Sequence, residues 1–321
     1  MRRLFIQFAA VLALVIAPMV AFASPLVSPA WLSEKLEDDN VVIIDLRNKI
    51  DKGSYETFLE GHIPGAIHSD YLKDGWRVGR EGVVGLLPEA DQFQSLARRL
   101  GVSDNTHVVV VPAGVSSTDF GSAARAYWTF KVFGHNNVSI LDGGFSAWRD
   151  FAPAKIEKGA FVAPEPGNFV ARFNPQFYIG TSDVAAFAAN PGQALLVDGR
   201  TDEQFYAVSK HPKAAKAGRI PSAVLMDQDN AYSPEGNRLK SLEELAKIYS
   251  NLGDKTIVSY CNTGHWAATN WFVMSEILEQ KNVKLYDGSM VEWTANTDLP
   301  LDTSGKSNMH KIKEMFSGLL G

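Results

Sequence analysis

A chain of 321 residues with a net charge of -5 is long enough for two ordinary domains, each able to bury its own core. The slightly acidic balance gives no electrostatic footprint for nucleic acid. One cysteine, Cys261, excludes an intramolecular disulfide, so that thiol is either a buried small hydrophobe or a reactive group.

The chain opens with Arg2 and Arg3, then an apolar run from Leu4 to Phe22 broken by Gln7, then Ala21-Phe22-Ala23 before Ser24. A charged start, an apolar stretch and a small-x-small ending predict a secretory signal peptide over residues 1–23. The competing reading is an uncleaved anchor, since the run approaches the length that spans a bilayer. With cleavage after Ala23 the mature protein is expected to be periplasmic or secreted and free of the membrane.

From there the sequence shows one pattern twice. Val41-Val42-Ile43-Ile44-Asp45-Leu46-Arg47 returns as Ala194-Leu195-Leu196-Val197-Asp198-Gly199-Arg200. Gly61-His62-Ile63-Pro64-Gly65-Ala66 returns as Gly218-Arg219-Ile220-Pro221-Ser222-Ala223. The strand Val108 to Val111 matches Ile257 to Tyr260, and Asp142-Gly143 with Trp148 match Asp287-Gly288 with Trp293. Order is kept while spacing drifts, as loop insertions produce. The predicted organisation is a first unit over 24–155, a proline-rich linker over 156–177, a second unit over 178–303 and a tail over 304–321. Short Val- and Ile-rich runs alternate with helical patterns such as Leu242, Leu245 and Ile248. Such alternation predicts an α/β fold, each unit a mainly parallel sheet with helices on both faces. In the tail, Ile312, Met315, Phe316 and Leu319 recur at helical spacing and predict a short amphipathic helix.

Cys261 immediately follows one of these strands, at the sheet edge where ligands bind in such folds. The segment Asn262-Thr263-Gly264-His265-Trp266-Ala267 then leads into a helical stretch. A strand end, a glycine turn and a helix start gather backbone N–H groups toward one point, which favours a thiolate or a persulfide anion.

The paired D-x-R and G-[HR]-I-P-[GS]-A segments, the cysteine loop and the D-G-[GS] with its tryptophan closely resemble the tandem rhodanese family of thiosulfate and 3-mercaptopyruvate sulfurtransferases. The resemblance covers nearly the whole mature chain. It implies two rhodanese-like domains, a catalytic cysteine in the second and none in the first. It also implies transfer of sulfur from a small-molecule donor to cyanide, a thiol or a protein acceptor, through a persulfide on Cys261 and without a cofactor. A persulfide carrier that hands sulfur to a protein partner is the alternative within the same fold. Pro112 stands opposite Cys261, and Ser116, Ser117 and Thr118 nearby have no visible base, so the first half reads as a structural partner that walls the cleft.

The loop's residues also bear on other chemistries. A phosphatase of the C-x5-R type needs an arginine where this chain has Ala267. One cysteine and seven scattered histidines show no metal-ligand spacing. His265 either takes part in binding or proton transfer or fills the loop wall, and Trp266 either rims the pocket or packs beneath the helix. Asp198 and Arg200 are expected behind the cysteine loop, holding it. The family commonly places a second arginine where this chain has Gln204, and arginine or glycine where it has Asn262, which puts thiosulfate as donor in question. Lys210, His211, Lys213, Lys216 and Arg219 either replace that charge or form a solvated basic loop.

Overall fold

The structure, a computed structural model, describes residues 23–305. The signal segment before Ala23 and the tail helix over Ile312 to Leu319 lie outside the described residues.

In the first half a five-stranded parallel sheet runs in the order β1 (Leu26–Val27), β7 (Val138–Leu141), β6 (His107–Val111), β2 (Val41–Asp45) and β3 (Ile67–His68). β4 (Val78–Arg80) and β5 (Val83–Leu86) form a separate antiparallel pair. Helices α1 (Pro29–Ser33), α2 (Tyr55–Glu60), α3 (Ala90–Arg99), α4 (Ser117–Val132) and α5 (Gly144–Asp150) complete the half. The central β6 is continuous valine after His107, and all four valines are buried, as a strand covered on both faces requires.

The second half repeats the plan. Its sheet runs β13 (Val283–Leu285), β12 (Thr256–Tyr260), β8 (Ala194–Asp198), β9 (Val224–Leu225), all parallel, with β10 (Tyr232–Ser233) and β11 (Arg238–Leu239) as an antiparallel pair. The outer position that β1 takes in the first half is held here by one bridge, Tyr178 to Leu285. Helices α6 (Thr181–Ala189), α7 (Asp202–Phe205), α8 (Leu242–Ile248), α9 (His265–Phe272) and α10 (Ser289–Ala295) connect them. Ser241 and Glu244 cap α8 reciprocally. Its apolar spacing is less informative than it looks, because Leu245 is buried while Leu242 is 62% exposed.

Segment 156–177 contains no helix or strand, yet it is tied to the first half. Glu157 exchanges backbone hydrogen bonds with His62, Phe169 is buried, and the Asn174 N–H donates to Val132 O.

α4 and α9, the helices that follow the two equivalent loops, pack on each other. Tyr127 of α4 meets Phe272 of α9 edge-on at 4.9 Å between centroids, and Phe120 meets the same ring at 5.7 Å. Each such ring withdrawn from water contributes about 1.5–3 kcal/mol, and the edge-on pairs add roughly 0.5–1.5 kcal/mol. One apolar core therefore runs through both halves and reaches Cys261 itself.

Candidate active site

Parallel register sets the site. Tyr260, the last residue of β12, lies beside Asp198, the last of β8, so Cys261 and the D-G-R turn emerge together at the carboxyl edge of the sheet. Cys261 is 1% exposed and sits in the wall of a cleft of about 230 Å³. The second half contributes Gln204, His211, Pro212, Asn262, Thr263, His265 and Trp266 to its lining. Ile50, Arg77 and Thr118 come from the first half.

The loop turns at Gly264, which has φ +70°, a conformation that glycine adopts without steric cost. A Cβ there would collide with the Arg125 guanidinium and come within 2.8 Å of Asp287 Cα. The loop is anchored from α10: Ser289 Oγ accepts from the N–H of Cys261 at 3.0 Å and of Gly264 at 3.2 Å, and donates to Tyr286 O at 2.8 Å. Of the N–H groups expected to face the sulfur, that of Gly264 is therefore already committed. Asn262 donates through Nδ2 to Gln204 Oε1 at 2.8 Å, so the two positions where the family often carries cations form a neutral pair.

His265 does not form a dyad with the thiol. Its Nε2 lies 2.7 Å from the carbonyl of Thr118, which can only accept, and its Nδ1 lies 3.0 Å from the Tyr71 hydroxyl. That fixes the proton on Nε2 and leaves Nδ1 as acceptor. Burial, aided by the Arg77 charge, pushes its pKa down to about 3, and burial raises that of Tyr71, so the pair is neutral. Gly121 of α4 makes room for the ring: a Cβ at that position would lie 3.0 Å from Nε2. Trp266 both rims the cleft and donates to Thr118 Oγ1 at 3.2 Å.

Asp198 and Arg200 differ from expectation in what they hold. Arg200 clasps Asp198 through Nε and Nη2 and donates onward to Gly218 O at 2.8 Å, pinning the G-R-I-P turn. No hydrogen bond among the described residues runs from this pair to 262–267. Arg47 likewise clasps Asp45 and donates to Gly61 O at 2.9 Å. The cysteine loop is instead gripped across the domain boundary by Arg125 of α4, fully buried, whose Nη1 reaches Thr263 O and Nη2 reaches Asp287 Oδ2, both at 3.5 Å.

Of the basic stretch, only His211 lines the cleft. Arg219 is paired with Asp302 at 2.6 Å, Lys210 donates to Ala214 O, and Lys213 and Lys216 are exposed. Ser116 caps α4, Ser117 bonds Asp229, and Thr118 receives His265 and Trp266, so none of the three is a spare nucleophile. Sequence reasoning missed Arg77, Tyr71, Arg125 and Ser289, all far from Cys261 in the chain. For Ser289 a signal existed, since it follows the duplicated Asp-Gly pair.

The model of the Rhodanese-like domain matches residues 28–151 and again 182–296. The chain is 35% identical to the 3-mercaptopyruvate sulfurtransferase of Escherichia coli (strain K12), over 85% of this chain and 95% of that protein. It is 32% identical to the sulfur carrier protein TtuD of Thermus thermophilus, over 88% of this chain and 98% of that one. Among solved structures, SseA from Escherichia coli superposes with a TM-score of 0.70 at 29% identity, covering 83% of this chain and 99% of that one. Two domain matches, relatives aligned along nearly their whole length and a thiol at the sheet edge converge: the chain belongs to the tandem rhodanese-like sulfurtransferases.

Proposed function

We propose that the protein is an exported sulfurtransferase that takes a sulfur atom from a small anionic donor onto Cys261 and passes it to a thiol or to cyanide. The observation that carries this reading is the position of the chain's one thiol, in a cleft at the end of β12, framed by a left-handed glycine and the start of α9. With 3-mercaptopyruvate, the Cys261 thiolate attacks the donor sulfur. The carbon–sulfur bond breaks, and its electron pair leaves as the enolate of pyruvate, which is then protonated. With thiosulfate the sulfur–sulfur bond breaks instead and sulfite leaves. In the second half-reaction cyanide or a thiolate attacks the outer sulfur, forming thiocyanate or a new persulfide and returning the Cys261 thiolate. N–H groups of Asn262, Thr263, His265 and Trp266 are the donors for the sulfur anion, with Gly264 held by Ser289. The neutral Asn262–Gln204 pair favours a donor carrying one negative charge over a dianion, hence 3-mercaptopyruvate over thiosulfate.

Export rests on the Arg2 to Ala23 segment, and N-terminal sequencing of the mature protein is expected to begin at Ser24. Intact mass after exposure to 3-mercaptopyruvate should rise by about 32 Da, one sulfur atom. Cys261→Ser should neither gain that mass nor turn over, while keeping its melting temperature; sulfur transfer by that variant would sink the assignment. A second reading, delivery of sulfur to a partner protein, is favoured by the likeness to a sulfur carrier. Labelling without turnover on small acceptors would support it.

A further inference from the structure

We infer that Arg77, contributed by the half without a nucleophile, anchors the anionic end of the sulfur donor. The inference rests on the reading of Cys261 as the sulfur acceptor and adds the residue that fixes how the donor lies.

The cleft lining contains no aspartate or glutamate, and Arg77 is its one permanent cation among the described residues. Neighbouring cations are spent elsewhere: Arg200 on Asp198, Arg219 on Asp302 and Arg125 on Asp287. No carboxylate pairs with Arg77 among the described residues, and its guanidinium lies over the Tyr71 ring at 5.0 Å. Tyr71 in turn bonds His265 of the cysteine loop, so the cation is braced against the element that carries the thiol. His211, facing it from the second half, is held neutral by burial and by the Arg77 charge. Tyr71 and His265 are neutral as well, which leaves a single positive charge in a cleft walled by Ile50, Pro212 and Trp266. A partly exposed guanidinium without a partner carboxylate, in a low-dielectric wall, suits one carboxylate or sulfonate end of a donor whose sulfur reaches Cys261. The second half contributes no arginine or lysine to this lining, so the charge available to a donor comes from the first half.

Steady-state kinetics with 3-mercaptopyruvate would test this. Arg77→Gln is expected to raise KM by about 10- to 100-fold, the range for one charge-assisted hydrogen bond, with kcat within about threefold of wild type. Arg77→Lys should recover part of the loss. Lys73→Gln removes an exposed charge nearby, already paired with Asp70, and should leave KM unchanged. A merely structural arginine would lower kcat and melting temperature together and leave KM in place; that pattern, or an unchanged KM in Arg77→Gln, would overturn the inference alone. A wild-type protein that gains no sulfur mass from any anionic donor would overturn the reading of Cys261, and the inference with it.

Discussion

The loop after β6 and the loop after β12 occupy equivalent places in a duplicated fold, but their backbone donors are used differently. In the first half the N–H groups of Ala113, Gly114 and Val115 all turn to one carboxylate, Asp119, at 2.6–3.0 Å. The chain supplies its own anion. In the second half the equivalent turn has no internal carboxylate; Ser289 holds two of its donors, and Cys261 stands in the wall. The first half still has a cleft, of about 380 Å³ and lined by Arg47, Ala113 and Val115 among others, so an open space is not what separates the two. What separates them is whether the anion site is filled from within. Loss of the nucleophile and internal occupation of its cradle go together.

The largest effect should follow from emptying the first cradle. Asp119→Ala would leave two buried N–H groups and one exposed one without an acceptor, and a loss of about 3 kcal/mol in urea denaturation is expected. Asp119→Asn, which keeps one accepting oxygen, should cost about 1 kcal/mol. Equal stability of all three proteins would remove Asp119 as the reason that the loop is ordered.

A smaller, pH-dependent effect, under about 2 kcal/mol when read between about pH 6.5 and 5, should mark the second loop. The folded-state pKa of His265 is depressed to about 3, against about 6.5 in an unfolded chain. Between these values the unfolded state binds more protons, so stability falls as pH is lowered from about 6.5 toward 3. The His265 contribution approaches 1.4 kcal/mol per pH unit. His265→Gln should flatten this arm of the difference curve against wild type. Parallel curves for the two proteins would contradict a buried neutral imidazole.

The smallest expected effect is none. Pro112→Cys placed in the Cys261→Ser background restores a thiol at the equivalent strand end, but the Asp119 carboxylate repels a second anion there. No mass gain from 3-mercaptopyruvate is expected, and a gain would show that Asp119 does not silence the loop.

Local signals made the halves legible. Two D-x-R strands, two G-[HR]-I-P turns and a cysteine after a strand all act through short-range spacing, and the structure keeps them in place. Proline density marks 156–177 as a linker, and the segment holds no helix or strand, although sequence could not show that it docks on the first half. Three of the missed residues act across the seam: Arg125 lies in α4, Tyr71 and Arg77 lie after β3, and no periodicity relates them to Cys261. Asp119 was half visible. Ser116 followed three residues later by a carboxylate resembles a capping pair, and Ser116 does cap α4, but the carboxylate turns back to the loop instead. His265 is four residues from Cys261, which invites a catalytic pair; the partners that claim its two nitrogens come from the first half.

The seam between α4 and α9 also determines what would happen if the chain were cut in segment 156–177. Thr118, Arg125, Tyr71 and Arg77 would leave with one fragment and the thiol with the other, so turnover would become a bimolecular property, rising with fragment concentration until the aromatic seam closed. Such a pair would behave as a complementation system, its activity reporting the proximity of whatever each fragment was fused to.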